Sequence, residues 1–110
     1  MSGFRATIPA EAAEFLQRLG KNIRTARLRR KLRIEDVAER IGTSRFTVAE
    51  VEKGNPTTSA ITYFSALWAL GLLDQAEELA DPDRDEEGKT LESARQPKQA
   101  PRRRTLDNDF

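Results

Sequence analysis

The sequence predicts an all-α protein, five helices followed by an irregular tail. Three observations lead there. Apolar residues recur at helical spacing from Ala12 to Ala80, and no segment before Asp81 alternates apolar with polar residues as a strand would. Gly42, Gly54 and Gly71 each stand just past a periodic segment, where a chain leaving a helix often turns left-handed. The chain has 110 residues, enough for one compact domain and a tail. A core of that size is small, so self-association is expected to add stability.

Residues 1–8 read as a short arm. Pro9 suits the start of the first helix, where its missing N–H costs nothing, and Glu11 and Glu14 complement the positive helix end. Ala12, Phe15, Leu16, Leu19, Ile23 and Ala26 form its apolar stripe, which Gly20 weakens locally, and Arg29, Arg30 and Lys31 close it. The second helix reads Ile34 to Ile41 and is stopped by Gly42. Ser44 caps a third, Arg45 to Lys53, with Val48 and Val51 inward. Asn55-Pro56 is a turn signal. A fourth helix runs from Ser59 to Leu70 with Ala60, Tyr63, Phe64, Leu67 and Leu70 on its core side. A fifth, Leu73 to Ala80, carries Leu73, Ala76, Leu79 and Ala80. Residues 9–80 thus read as the folded domain. Residues 81–110 are dominated by charge and proline and have too few apolar side chains to fold alone; one helical turn is expected near Thr90–Arg95.

Composition excludes several classes. There is no cysteine, hence no disulfide, thiolate nucleophile or zinc-thiolate site, and no histidine, the commonest general base and metal ligand. With no phosphate-binding loop either, the chain is expected not to be an enzyme and to need neither cofactor nor metal. The longest apolar run, Ala66 to Leu73, falls well short of the roughly 20 residues that span a bilayer. No leader pattern opens the chain, so a soluble cytoplasmic protein is expected. The net charge of +1 conceals segregation. Eight bases and no acid lie between Phe15 and Ile34, whereas Asn55 to Ala80 holds three acids and no base. Such asymmetry favours a polyanion on one face.

Two short helices joined by Gly42-Thr43-Ser44 form the unit that places its second helix in a DNA major groove. From Leu19-Gly20-Lys21-Asn22-Ile23-Arg24 to Gly71 the chain resembles Xre/phage-repressor-type helix-turn-helix domains of the lambda-repressor-like fold. Leu32, Glu35-Asp36-Val37-Ala38-Glu39-Arg40-Ile41-Gly42, Ser44-Arg45, Val51-Glu52-Lys53-Gly54 and Ala69-Leu70-Gly71 carry the likeness. It implies that the third helix is the recognition helix, with Arg45, Phe46, Ala49 and Glu50 at base-reading positions. Arg45 can fork onto a guanine edge, Phe46 and Ala49 can meet thymine methyls, and Glu50 can accept from a cytosine amino group. Backbone contacts fall to Arg33, Thr43, Ser44, Thr47, Lys53, Thr57, Thr58 and Ser59, near helix N-termini; ordinary capping is an equally good reading of Thr57 to Ser59. The resemblance also implies a structural ion pair between Arg27 and Glu52. The chain departs from the pattern at Arg33, where a capping Ser or Thr is usual, at Ile34, where a glutamine touches the DNA backbone, and at Glu50, where a basic or amide residue is common.

The fourth helix has a surplus apolar stripe. Ile61, Trp68 and Leu72, with Leu73 and Ala76 beyond, are expected to form a dimer or partner interface, the alternative being a wider core completed by Phe15 and Leu16. A dimer matches an inverted-repeat operator on double-stranded DNA. Within the family the whole chain is most similar to HipB-like antitoxins. The residues behind this are Asn55-Pro56, the Phe64/Leu67/Leu70 helix and the acidic-then-basic tail from Leu79-Ala80-Asp81-Pro82. That likeness implies a homodimeric repressor of its own operon that holds a HipA-like kinase toxin. The alternative is a stand-alone regulator, phage-type or restriction-controlling, without a toxin. Leu91, Leu106 and Phe110, with Arg102-Arg103-Arg104, are expected to serve the toxin, or the arginines flanking DNA.

Overall fold

A computed structural model describes residues 7–95. The described residues are helical throughout, with no strand, as the all-α expectation requires. They divide into two compact units between Ala76 and Glu77.

The first unit is built from four α-helices: α1 (Ala10–Arg29), α2 (Ile34–Ile41), α3 (Arg45–Glu52) and α4 (Ala60–Ala69). Helix α1 starts after Pro9, whose carbonyl accepts from the N–H groups of Ala12 and Ala13 at 3.1 Å. It ends at Arg30, and Lys31 follows with φ of 56°, a left-handed position occupied by a residue with a Cβ. In α2 the Asp36 carboxylate reaches back to the backbone N–H of Arg33 at 2.8 Å. Arg33 itself is donor-only, so this helix end has the carboxylate half of a capping box and no more. Gly42 closes α2 with φ of 73°, and Thr43 N–H returns to the Ala38 carbonyl at 3.0 Å. Ser44 caps α3, its Oγ accepting the Thr47 N–H at 3.2 Å.

Helix α3 lies at the centre, packed against α1, α2 and α4. The core joins Ile23 and Ala26 of α1, Val37 and Ala38 of α2, Val48 and Val51 of α3, and Tyr63, Ala66, Leu67, Ala69 and Leu70 of α4 and its end. Ile23, Val37, Val48 and Val51 are almost completely buried, and burying an aliphatic side chain of this size contributes roughly 1.5–3 kcal/mol. Ala60, expected inward, is exposed, whereas Ala66 and Ala69 take the places against α2 and α3. The Arg40 guanidinium donates to the Ala69 carbonyl at 2.9 Å and so caps α4 from α2.

The contact between α1 and α3 is made by backbone. A Cβ on Gly20 would stand 2.5 Å from the Val51 carbonyl oxygen and 2.7 Å from that of Glu52. A Cβ on Gly54 would lie 2.5 Å from Gln17 Cα, and Gly54 adopts φ of +75°. Gly20, which by propensity only weakens a helix, is what allows this approach.

The fifth helix is a 3-10 segment, Leu73–Glu78, in place of the α-helix expected to Ala80. The division into units falls within it, four residues before the domain boundary expected at Ala80. The burial pattern gives the reason: Leu72 and Ala76 pack against the core, whereas Leu79 is exposed.

The second unit corrects the irregular reading of the tail. A 3-10 turn, Pro82–Arg84, is followed by α5 (Glu86–Arg95). Local capping orders them. Asp81 Oδ1 accepts the Asp83 N–H at 3.0 Å, Asp85 Oδ1 accepts the Gly88 N–H at 2.9 Å, and Arg84 pairs with Glu78. Nearly every side chain here is exposed, including Leu79 and Leu91. Residues 1–6 of the arm and the tail residues Arg102-Arg103-Arg104, Leu106 and Phe110 lie outside the described residues.

Candidate nucleic-acid interface

Helix α3 has two sharply different sides. Val48 and Val51 are fully buried and Glu52 nearly so. On the other side Arg45 is open and Phe46 is 72% exposed, so the phenyl ring is not a core residue. Ala49, one turn on, is partly exposed. The helix therefore presents a cation and an apolar ring in its first turn, with a small residue behind them. The phenyl ring thus stands on the side of α3 that the core does not use. The Arg45 guanidinium has Glu35 at 4.0 Å, both largely exposed, an arrangement weak enough to exchange for another acceptor.

Cations flank this side. Arg33 at the start of α2 pairs with Asp36 at 3.3 Å while remaining well exposed. That pairing holds the Asp36 carboxyl below its ordinary range, chiefly through the Arg33 backbone N–H, and raises Arg33 in turn. Lys53 lies just past the other end of α3, exposed. Arg24 of α1 reaches the same end, 4.0 Å from Glu52. Arg24 was counted among the bases of this stretch but given no site role, although its place one turn before Arg27 puts it on the same flank of α1.

Arg27 and Glu52 form a two-pronged buried pair: Nε to Oε2 at 2.6 Å and Nη2 to Oε1 at 3.1 Å. The Nη1 group donates to the Leu32 carbonyl at 2.9 Å. The side chains are 8% and 6% exposed. One pair thus fastens α1 to the end of α3 and to the loop before α2.

Glu50 is placed differently from Arg45 and Phe46. Its side chain is only 16% exposed. One carboxylate oxygen accepts from Asn55 Nδ2 at 2.7 Å, the other from Lys53 Nζ at 3.3 Å. These bonds, the Asn55 one foremost, hold its carboxyl below the usual range. Asn55 was read as a turn former and as part of the antitoxin likeness, with no side-chain role. Its Oδ1 accepts both the N–H and the hydroxyl of Thr57 at 2.8 Å, and its carbonyl accepts the Tyr63 hydroxyl at 2.8 Å and the Thr58 N–H at 3.2 Å. Burial, helped by the Glu50 charge, raises the Tyr63 phenol.

The remaining backbone-contact candidates lie at helix starts. Thr43 is partly exposed, and Ser44 and Thr47 share the α3 cap, with their hydroxyls 3.1 Å apart. Thr57 is exposed but both its donors go to Asn55; Ser59 precedes α4 with its hydroxyl 2.8 Å from that of Thr62. Of the apolar interface residues, Ile61 is 69% and Trp68 59% exposed, one face of α4 two turns apart, and Leu73 is open at its end. Leu72 and Ala76 pack partly against the core, the placement that the wider-core alternative gives them.

Among the described residues no helix is long and apolar enough to cross a membrane, and no cluster of acidic, histidine or cysteine side chains could hold a metal. No family model, curated protein or solved structure matches the chain.

Proposed function

We propose that the chain is a dimeric, sequence-specific DNA-binding repressor with a lambda-repressor-like helix-turn-helix, and the autoregulating antitoxin of a HipBA-like operon. The observation that carries the DNA reading is the asymmetry of α3. Its inner side is locked by Val48, Val51 and the Glu52–Arg27 pair, while Arg45 and Phe46 stand open in its first turn. Arg45 reads a guanine edge, Phe46 and Ala49 meet thymine methyls, and Arg33 and Lys53 engage phosphates. The exposed Ile61 and Trp68, with Leu73, pair two copies. The charge of 77–95, eight acids against three bases, and the exposed Leu79 and Leu91 support a protein partner for the second unit, a HipA-like kinase.

Footprinting on selected DNA tests the first part. It should reveal an inverted repeat with half-site centres about 34 Å apart or a small multiple of that. A monomer on one asymmetric half-site refutes the dimer reading. Affinity capture with the full chain and with a chain ending at Ala80 tests the second. Both should bind the operator, and only the full chain should hold the kinase tightly. Equal capture by both places the toxin on the helical body, and capture by neither supports the stand-alone regulator.

A further inference from the structure

We infer that Glu50 is a positioning residue: through Asn55 it holds the loop between α3 and α4, and it reads no base. The inference rests on the DNA-binding reading and changes the role of one of its residues. In a straight helical projection Glu50 falls among the outward positions, one residue after Ala49 and four after Phe46. The structure withdraws its carboxylate from that face. Glu50 Oε1 takes the Asn55 amide at 2.7 Å and Oε2 takes Lys53 at 3.3 Å. Each oxygen keeps a second lone pair, but a carboxylate held by its own chain through both oxygens and only 16% exposed has to leave that position to meet a cytosine amino group in the groove, and the exchange gains little.

Asn55 passes the constraint on. With its amide held by Glu50, its Oδ1 faces Thr57 and takes both Thr57 donors at 2.8 Å. Its backbone carbonyl is held from the far side by the hydroxyl of Tyr63, which is 3% exposed. The loop is thereby tied at one end to α3 and at the other to the buried face of α4. Gly54, pressed on the backbone of α1, fixes its start. Losing the Glu50 carboxylate leaves the Asn55 side chain free to turn and releases Thr57. The loop that carries Lys53, Thr57 and Thr58 then has to be ordered anew on each encounter with DNA.

Four variants of the full chain test this at a temperature where all are folded: Glu50→Ala, Asn55→Ala, the two combined, and Glu50→Gln. Binding-site selection and titration on the selected operator should give Glu50→Ala an unchanged base preference at every position and an affinity lower by about tenfold on all sequences. Asn55→Ala should match it, and the double variant should lose no more than the worse single. Glu50→Gln keeps an oxygen for the Asn55 amide and should recover most of the affinity. Amide hydrogen exchange read without DNA should show Thr57 protection falling in both alanine variants and kept in Glu50→Gln. A base preference that changes at one position in Glu50→Ala overturns the inference and restores Glu50 as a base reader. Thr57 protection unchanged in Glu50→Ala overturns it as well. Should the wild-type chain select no DNA sequence, the DNA reading fails while the exchange measurement still decides whether Glu50 holds the loop.

Discussion

Replacing Arg27 by alanine removes three hydrogen bonds at once, two to Glu52 and one to the Leu32 carbonyl. The loss of attraction matters less than what remains. The Glu52 carboxylate, 6% exposed in the intact pair, loses the guanidinium that engages both its oxygens. Stranding one partner of a buried pair costs about 3–5 kcal/mol. Arg24, exposed and already 4.0 Å from Glu52, can swing inward and supply part of the missing charge. The lower end, about 3 kcal/mol, is therefore expected, and at about 4–8 °C per kcal/mol for a domain of this size the melting temperature should drop by about 12–24 °C. Thermal unfolding followed by circular dichroism measures it. A second variant isolates the cause: with Arg27→Met and Glu52→Met together, no stranded charge remains, and most of the stability should return. Operator affinity of the folded fraction should change little in either variant. The reasoning fails if Arg27→Ala melts with the wild type, or if the double variant is no better than the single. A stable Arg27→Ala protein that no longer binds DNA makes Arg27 a DNA contact.

Gly20→Ala should lower stability by about 1–3 kcal/mol although alanine is the better helix former, because the new methyl meets backbone oxygens that cannot rotate aside; chemical denaturation yielding equal or higher stability contradicts the close approach. Lys31→Gly should raise the melting temperature by a few degrees, since a left-handed residue with a Cβ costs roughly 1–2 kcal/mol and glycine's greater chain entropy offsets only part of that; an unchanged or lower value denies the strain. Arg45→Ala should relax preference at one guanine position and cost about 1–3 kcal/mol there, whereas Arg33→Ala should weaken all sequences and flatten the salt dependence; parallel losses in both would remove Arg45 from the base readers. Asp36 and Glu50 both have folded-state pKa values below their ordinary ones. Their stabilisation is therefore complete above the ordinary carboxylate range, near pH 4, and is lost as pH falls through it toward the folded-state values. Acid unfolding should be measurably flatter in Asp36→Asn; a curve identical to wild type contradicts the pairing with Arg33.

What could be read beforehand follows from the range of the signals. The bounds of α2 and α3 are written in adjacent residues, Gly42 as a left-handed stop and Ser44 as a cap, and Val48 and Val51 lie one helical step apart on the buried side. Leu73, Ala76, Leu79 and Ala80 were read as one α-helical stripe, yet Leu79 and Ala80 lie beyond the 3-10 segment, and Leu73 and Ala76, three apart, fit its period as well as an α-helix's. Of helix α5 only the turn near Thr90–Arg95 was expected; its first half escaped because it has almost no apolar stripe and is ordered by the Asp85 cap, with Glu86 and Lys89 paired along it at 3.6 Å. Within the candidate site, the exposure of Arg45 and Phe46 follows from helical phase. The withdrawal of Glu50 does not, because its partner Asn55 lies beyond the helix end, where periodicity carries no information. The use of Gly20 was equally hidden, since a glycine in a helix does not announce which backbone comes to meet it.

The meeting of α1 and α3 through bare backbone has a consequence for how such a protein could be retargeted. The C-terminal end of α3 is held by Gly20, Gly54 and the Arg27–Glu52 pair, none of which depends on what stands at positions 45, 46 and 49. The pose of the helix and the lettering on its outer face are thus nearly independent variables. Under the proposed DNA-binding reading, exchanging Arg45, Phe46 and Ala49 as a set should rewrite the preferred operator while leaving the frame and its melting behaviour as they are.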